Sequence, residues 1–244
     1  MPLLTELEQQ QKDHLCGPFH AARVLRDYGV GDFDGELVDQ DLVAVHAGTK
    51  LPDRPAEAVP AGASSRSDYR FELARVAAER AGTSAAGLAA AIEELSRGLL
   101  VCVPFRGQWT AAAVEGLMEL DARMLANLRT GLLWGSRPPQ DALLAALAVG
   151  WVADPPGADW DVGHFVELVE VVRGRRGSLV LVRDSYPSLG WAGVHLQPPA
   201  VIAAALMRDD GREGGVLAVV GREGGAAVGR LAGELGLKTE MWEN

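Results

Sequence analysis

At 244 residues the chain is long enough to bury a sizeable single core. Its 48% hydrophobic and 23% charged residues are those of an ordinary globular protein. The net charge of −10 argues against nucleic acid as a partner, since phosphate recognition needs clustered Lys and Arg, and it also disfavours anionic membranes.

From the N-terminus, Met1 to Glu8 carries neither a basic stretch nor a long apolar run, so no signal peptide is expected. The polar run Gln9-Gln10-Gln11-Lys12-Asp13-His14-Leu15 leads to Cys16-Gly17-Pro18. A helix is predicted from Pro18 through Arg26, stopping near Gly29. Val38 to Val45 reads as a short helix and Thr49 to Ser67 as a surface loop. Tyr69 to Ala81 and Ser84 to Arg97 have helical periodicity, with Ser84 as N-cap of the second. Leu99 to Phe105 is a buried-strand type of run closed by Gly107. Thr110 to Leu128 and Gln140 to Val149 read as helices, separated by the turn-rich Gly135 to Pro139. Asp154-Pro155-Pro156-Gly157 is a loop before Gly163-His164-Phe165-Val166.

The clearest hairpin follows, with Phe165 to Val172 and Ser178 to Val182 flanking Gly174-Arg175-Arg176-Gly177. Pro198 to Leu206 reads as a helix, Val216 to Val220 as a strand and Ala226 to Leu237 as a closing amphipathic helix. Helices early and strands late predict an α+β fold rather than βαβ alternation. A single domain over residues 1–244 is expected. No run of about 18 apolar residues predicts a membrane span. The two cysteines, Cys16 and Cys102, make neither a disulfide framework nor a metal pattern, which suits a reducing cytoplasm with Cys16 a free thiol. No metal or other cofactor is called for.

A thiol reacts as the thiolate, and a helix N-terminus favours that charge, so Cys16 is a candidate nucleophile. Alone it would read equally as an inert buried thiol. Gln10, six residues earlier, could donate its amide to an oxyanion, although Gln9 and Gln11 leave the register open. His164 opens a strand and could act as general base. Gly17 and Gly163 would leave room for a substrate, and Trp160, four residues before His164, is expected beside the site. Trp109, Trp134, Trp151 and Trp191 are further candidates for a cleft, most of them expected in the core or at its rim. His14, His20, His46 and His195 lack comparable surroundings.

Asp184 ends the second hairpin strand and could orient His164, but the register decides. A two-residue turn at Arg175-Arg176 pairs Asp184 with Glu167, on the face opposite His164. Pairing with Val166 instead returns it to the face of His164, so a triad requires an odd-length or bulged hairpin.

Gln10 with five residues before Cys16-Gly17-Pro18, then Gly163-His164-Phe165-Val166, then Asp184, resembles the papain-like cysteine peptidase superfamily. The likeness is closest to the bacteriocin-processing (double-glycine) peptidases and their stand-alone relatives. It implies a helical half whose nucleophile helix packs on an antiparallel sheet half carrying the histidine and the aspartate. It also implies Cys16 as nucleophile, His164 as base, Asp184 as its orienter and Gln10 as oxyanion donor. Leu15 stands where the family usually has an acidic or polar residue, and Ser185-Tyr186 intervene before Pro187. A helical insertion at about 107–161 has no counterpart in a minimal member. The expected activity is a thiol-dependent peptidase or amidase working through an acyl-enzyme on a peptide or small amide. The alternatives are an acyl or peptidyl transferase using the same site and an inactive peptide-binding module. A metalloenzyme is a poorer fit, since His and Cys lack ligand spacing.

Overall fold

The computed structural model describes residues 10–54, 59–150 and 157–243. The chain runs α1 (Cys16–Asp27), β1 (Asp32–Phe33), β2 (Glu36–Leu37), α2 (Gln40–His46), β3 (Leu51–Pro52), β4 (Arg75–Val76), α3 (Ala85–Leu95), β5 (Leu100–Gly107), α4 (Ala111–Leu117), β6 (Arg123–Arg129), α5 (Gln140–Val149), β7 (Gly163–Arg173), β8 (Ser178–Arg183), β9 (Val194–Gln197), α6 (Pro199–Met207), β10 (Gly215–Gly221), α7 (Gly225–Glu234) and β11 (Leu237–Lys238).

Seven strands form one sheet in the order β11-β5-β10-β6-β7-β8-β9, each antiparallel to its neighbour. Helices α1 and α3 pack on one face, where Leu88, Ile92, Phe165, Leu217 and Val219 share a core with α2. Helices α5, α6 and α7 cover the other face, over Phe105, Val166, Val180 and Ala218. This is an α+β arrangement with helices on both sides of an antiparallel sheet. Among the described residues no helix is long and apolar enough to cross a membrane.

Several local signals act as their chemistry dictates. Ser84 Oγ caps α3 by accepting the Gly87 N–H at 3.0 Å, and Thr110 caps α4 in the same way through Ala113. Helix α1 starts at Cys16, two residues before the predicted start, which places Pro18 in the first turn, where its missing N–H costs nothing. Gly29, at φ +82°, ends that turn region in the left-handed conformation.

Two predicted helices are corrected. Tyr69 to Ala81 is extended and irregular, with β4 and one 3₁₀ turn at Ala78–Arg80. Its polar groups are taken by distant partners: Tyr69 Oη donates to Asp13 O, Arg70 N to Asp41 Oδ1, and Ala74 O accepts from Leu51 N. Such tertiary bonds override a helical pattern. Thr110 to Leu128 is helical only over α4, and Arg123–Arg129 is strand β6 between β10 and β7. The 107–161 segment is therefore part of the central sheet as well as a source of helices. Covered on both faces, β6 shows no alternation, and its Met, Leu and Ala are good helix formers. The loop expected at Asp154 to Pro156 and Trp151 lie outside the described residues.

Candidate active site

The chain reaches α1 through a turn closed by Leu15 N donating to Lys12 O at 3.0 Å. His14 takes φ +62° within it, a left-handed value that is uncommon outside glycine. The turn delivers Cys16 as the first residue of α1, with its thiol at the helix N-terminus. Gly17 lets the helix lie close to β7: a Cβ there would stand 3.2 Å from Phe165 Cδ2 and 3.3 Å from Leu88 Cδ2. The space over Gly17 is thus filled by the protein's own packing rather than left open for a substrate.

His164 is the second residue of β7 and pairs with Leu128 of β6. The hairpin that follows turns through two residues, Arg175 and Arg176, with Gly174 N donating to Gly177 O at 2.8 Å. From Arg173 opposite Ser178 to Glu170 opposite Leu181 the register is the one that sends Asp184 to the wrong face. Between Glu170 and Leu168 the pairing shifts, Val169 is left unpaired, and Leu168 meets Val182. This bulge continues to Glu167 opposite Arg183, so the next position sets Asp184 against Val166, on the face of His164. Asp184 Oδ1 lies 3.1 Å from His164 Nε2, with both side chains almost fully buried.

The carboxylate is also held by its own turn, since Oδ1 accepts the N–H of Ser185 at 2.7 Å and of Tyr186 at 3.2 Å. Nε2 being directed at Asp184, Nδ1 is the His164 nitrogen left for the Cys16 thiol, to which the ring is hydrogen-bonded. Burial works against a thiolate at Cys16, but the His164 charge and hydrogen bond, with N–H donors from Phe165 and Gly17, overcome it and lower the thiol pKa. Burial likewise opposes the imidazolium, and the Asp184 and Cys16 charges override it, raising His164 well above its ordinary value. Asp184 is also penalised by burial, yet His164 and then His195 hold it far below the usual carboxylate range. Cys102, by contrast, is pushed far up by burial and by Glu93. His20, one helical turn beyond Cys16, is fully buried with both ring nitrogens unbonded, and burial lowers it to about 3. It stays neutral.

Trp160 stands edge-on to His164, with ring centroids 5.0 Å apart, and edge-on to Tyr186 at 5.4 Å. Tyr186 in turn stacks on His164 at 6.2 Å. Gly163 leaves room for Arg208, whose Nη2 would be 2.7 Å from a Cβ at that position. Trp109 and Trp134 are core residues, and Trp191 is exposed on the loop after Asp184.

The two glutamines separate. Gln10 donates its amide to Ser64 O, within a strap of residues 64–69 that lies on the turn before Cys16. The strap is held by Asp13 N to Arg66 O at 2.8 Å, Arg66 N to Asp13 Oδ1 at 3.0 Å and Arg66 Nη1 to Gln10 O at 2.9 Å. Gln11 is the buried one, donating through Nε2 to Tyr186 Oη at 2.8 Å and accepting at Oε1 from Ser185 Oγ at 2.5 Å. Its partners flank His164 and Asp184, and those of Gln10 do not. The spacing to Cys16 favoured Gln10, and only the partners Ser185 and Tyr186 distinguish its neighbour. His195, which the sequence does not single out, also stands at the site, with its Nε2 3.8 Å from Asp184 Oδ2. Its alternation with Gln197 on one strand was the available signal.

Residues 4–243 match a protein family described as "Family of unknown function (DUF6885)", and the chain belongs to that family. No curated protein and no solved structure matches the chain.

Proposed function

We propose, for this member of a family of unknown function, a papain-like cysteine hydrolase that cleaves a peptide or small amide through an acyl-enzyme intermediate. The observation that carries it is the line Cys16 thiol, His164, Asp184, which starts at a helix N-terminus and ends on a buried carboxylate 3.1 Å from the imidazole. A cleft is not needed to recognise these roles, since nucleophile, base and orienter are defined by their mutual contacts.

In this reaction the Cys16 thiolate attacks the carbonyl carbon and its electron pair forms the C–S bond, while the carbonyl π pair moves to oxygen. The imidazolium at His164 gives its Nδ1 proton to the leaving amine as the C–N bond breaks, leaving a thioester on Cys16. Water then attacks the thioester, His164 takes its proton, and the acid leaves as the thiolate and imidazolium are restored. Asp184 stays ionised and keeps Nε2–H directed at itself, so that Nδ1 faces the sulfur. The oxyanion requires a donor about 3 Å away. Gln11 lies beside Ser185 and Tyr186 with its amide on the Tyr186 oxygen, and Gln10 has its amide on Ser64, so each would redirect an N–H to serve an oxyanion. A reducing cytoplasm is the compartment that suits a free catalytic thiol.

Mass spectrometry after iodoacetamide treatment at pH 6 tests the nucleophile. Cys16 should label selectively over Cys102, and Cys16→Ala should abolish cleavage of a peptide library. Equal and slow labelling of the two thiols would remove the basis of the assignment.

A further inference from the structure

We infer that His195 and Gln197 form a brace that fixes Asp184 in the orientation in which it serves His164, an inference that rests on the thiol-hydrolase reading. His195 and Gln197 are two residues apart on β9, so their side chains share a face of the sheet. They lie opposite Val182 and Val180 of β8, and Asp184 is two residues beyond Val182 on the same face. A single row of polar side chains therefore crosses three neighbouring strands, His164 from β7, Asp184 from the end of β8 and His195 from β9.

The row has a defined direction of donation. Gln197 is fully buried, and its Oε1 accepts the Trp134 N–H at 2.8 Å while its Nε2 donates to Trp134 O at 3.0 Å. Turning the amide over would set carbonyl against carbonyl and amide against amide, so the backbone of Trp134 locks it. The second hydrogen of Nε2 then points at His195 Nδ1, 3.0 Å away. A ring nitrogen that accepts carries no proton, which places the His195 proton on Nε2. That N–H faces Asp184 Oδ2 at 3.8 Å, the oxygen opposite the one bonded to His164.

Oδ1 is thus taken by His164 and the turn amides, while Oδ2 faces the His195 N–H across 3.8 Å, a charge–dipole contact longer than a direct hydrogen bond, and rotating the carboxylate would give up both surroundings. Outer partners of this kind orient the group that orients the reacting atoms. His195 touches neither the thiol nor a substrate, so it is a positioning residue acting through Asp184. The 107–161 segment gains a role as well, because Trp134 belongs to it.

The full-length chain serves for the test, with iodoacetamide labelling of Cys16 followed against pH. In His195→Phe the Asp184 carboxylate loses the N–H that faces Oδ2 and can turn away from His164, the imidazolium loses support, and the thiolate forms only at higher pH. Labelling at pH 6 should slow about tenfold, which is one unit in the midpoint of the curve. His195→Gln can still turn an N–H toward Oδ2 and should label within about threefold of wild type, a difference well under one pKa unit. A purely structural role would lower stability and leave the midpoint in place, and an unmoved midpoint in His195→Phe overturns the brace. NMR of the histidine nitrogens in the unmodified protein gives a test that does not depend on a variant folding. It should show protonated Nε2 and bare Nδ1 at His195, and the opposite tautomer overturns the inference. Should wild-type Cys16 label no faster than Cys102, the nucleophile assignment fails while the tautomer measurement still decides the brace.

Discussion

His164 and Asp184 share a face of the sheet because β7 contains one more residue than β8 needs. With a two-residue turn at the hairpin tip, regular pairing would set Asp184 opposite Glu167. The unpaired Val169 shifts the register by one and sets it opposite Val166. The side chains then meet at 3.1 Å.

That relationship predicts opposite results for two single-residue changes. Deleting Val169 removes the bulge but leaves Leu168 facing Val182, so Asp184 keeps its place and Cys16 labelling at pH 6 should be close to wild type. Inserting Ala between Arg183 and Asp184 moves Asp184 one step, to the face away from His164. Labelling should then fall by more than about tenfold, the effect of one pKa unit, with circular dichroism unchanged. Equal behaviour of the two variants would break the register argument.

Asp184→Asn keeps the size of the side chain and removes its charge. Since Asp184 is the leading influence that raises His164, the imidazolium should become a stronger acid and Cys16 a weaker one. The pH curve of Cys16 alkylation should move to higher pH at its lower limb. A curve that stays where it was would exclude Asp184 as the partner of the imidazolium.

The same pair makes stability depend on pH. His164 is raised on folding, so its contribution is fully present below about pH 6.5 and is lost as pH rises through the higher folded value. Asp184 is lowered, so its contribution is present above about pH 3.9 and fades as pH falls below that. Both act together between about pH 4 and 6.5. His164→Phe leaves a buried carboxylate with only its turn amides and His195, and should cost near the lower end of about 3–5 kcal/mol in that window. Denaturant titrations at pH 5 and pH 3 should show the gap between variant and wild type narrowing in acid.

The glutamines give a stability contrast. Gln11→Ala removes the donor to the buried Tyr186 phenol and leaves the Ser185 hydroxyl only its 3.4 Å contacts with Asp184 and His164, and should cost about 1–3 kcal/mol. Gln10→Ala loses an exposed bond to the Ser64 carbonyl and should cost less than about 1 kcal/mol. Urea midpoints at pH 7 compare them, and a reversed order would show that the strap carries more of the stability than the packing around Gln11.

Much was legible where local chemistry suffices. The cap at Ser84, the extent of α5 and the β7–β8 hairpin follow from side chains bonding to nearby backbone and from short-range periodicity. Even the bulge could be stated beforehand as a condition, because pairing is discrete and a parity mismatch must be absorbed somewhere. Other features could not be read this way. Strand β6 has no alternation, since helices cover both of its faces, and the 69–81 segment is straightened by bonds to Asp13 and Asp41 on other elements.

What the sequence by itself determined was a cysteine opening a helix and a histidine and aspartate on one hairpin. Which glutamine lies beside them, and that His195 stands behind Asp184, was decided only by the tertiary structure. Gln10 and Gln11 have the same side chain, so intrinsic preference cannot separate them. Their difference arises from whether the neighbour in space is Ser64 or Tyr186, and contacts between residues so far apart in the chain are settled by packing, not by local propensity.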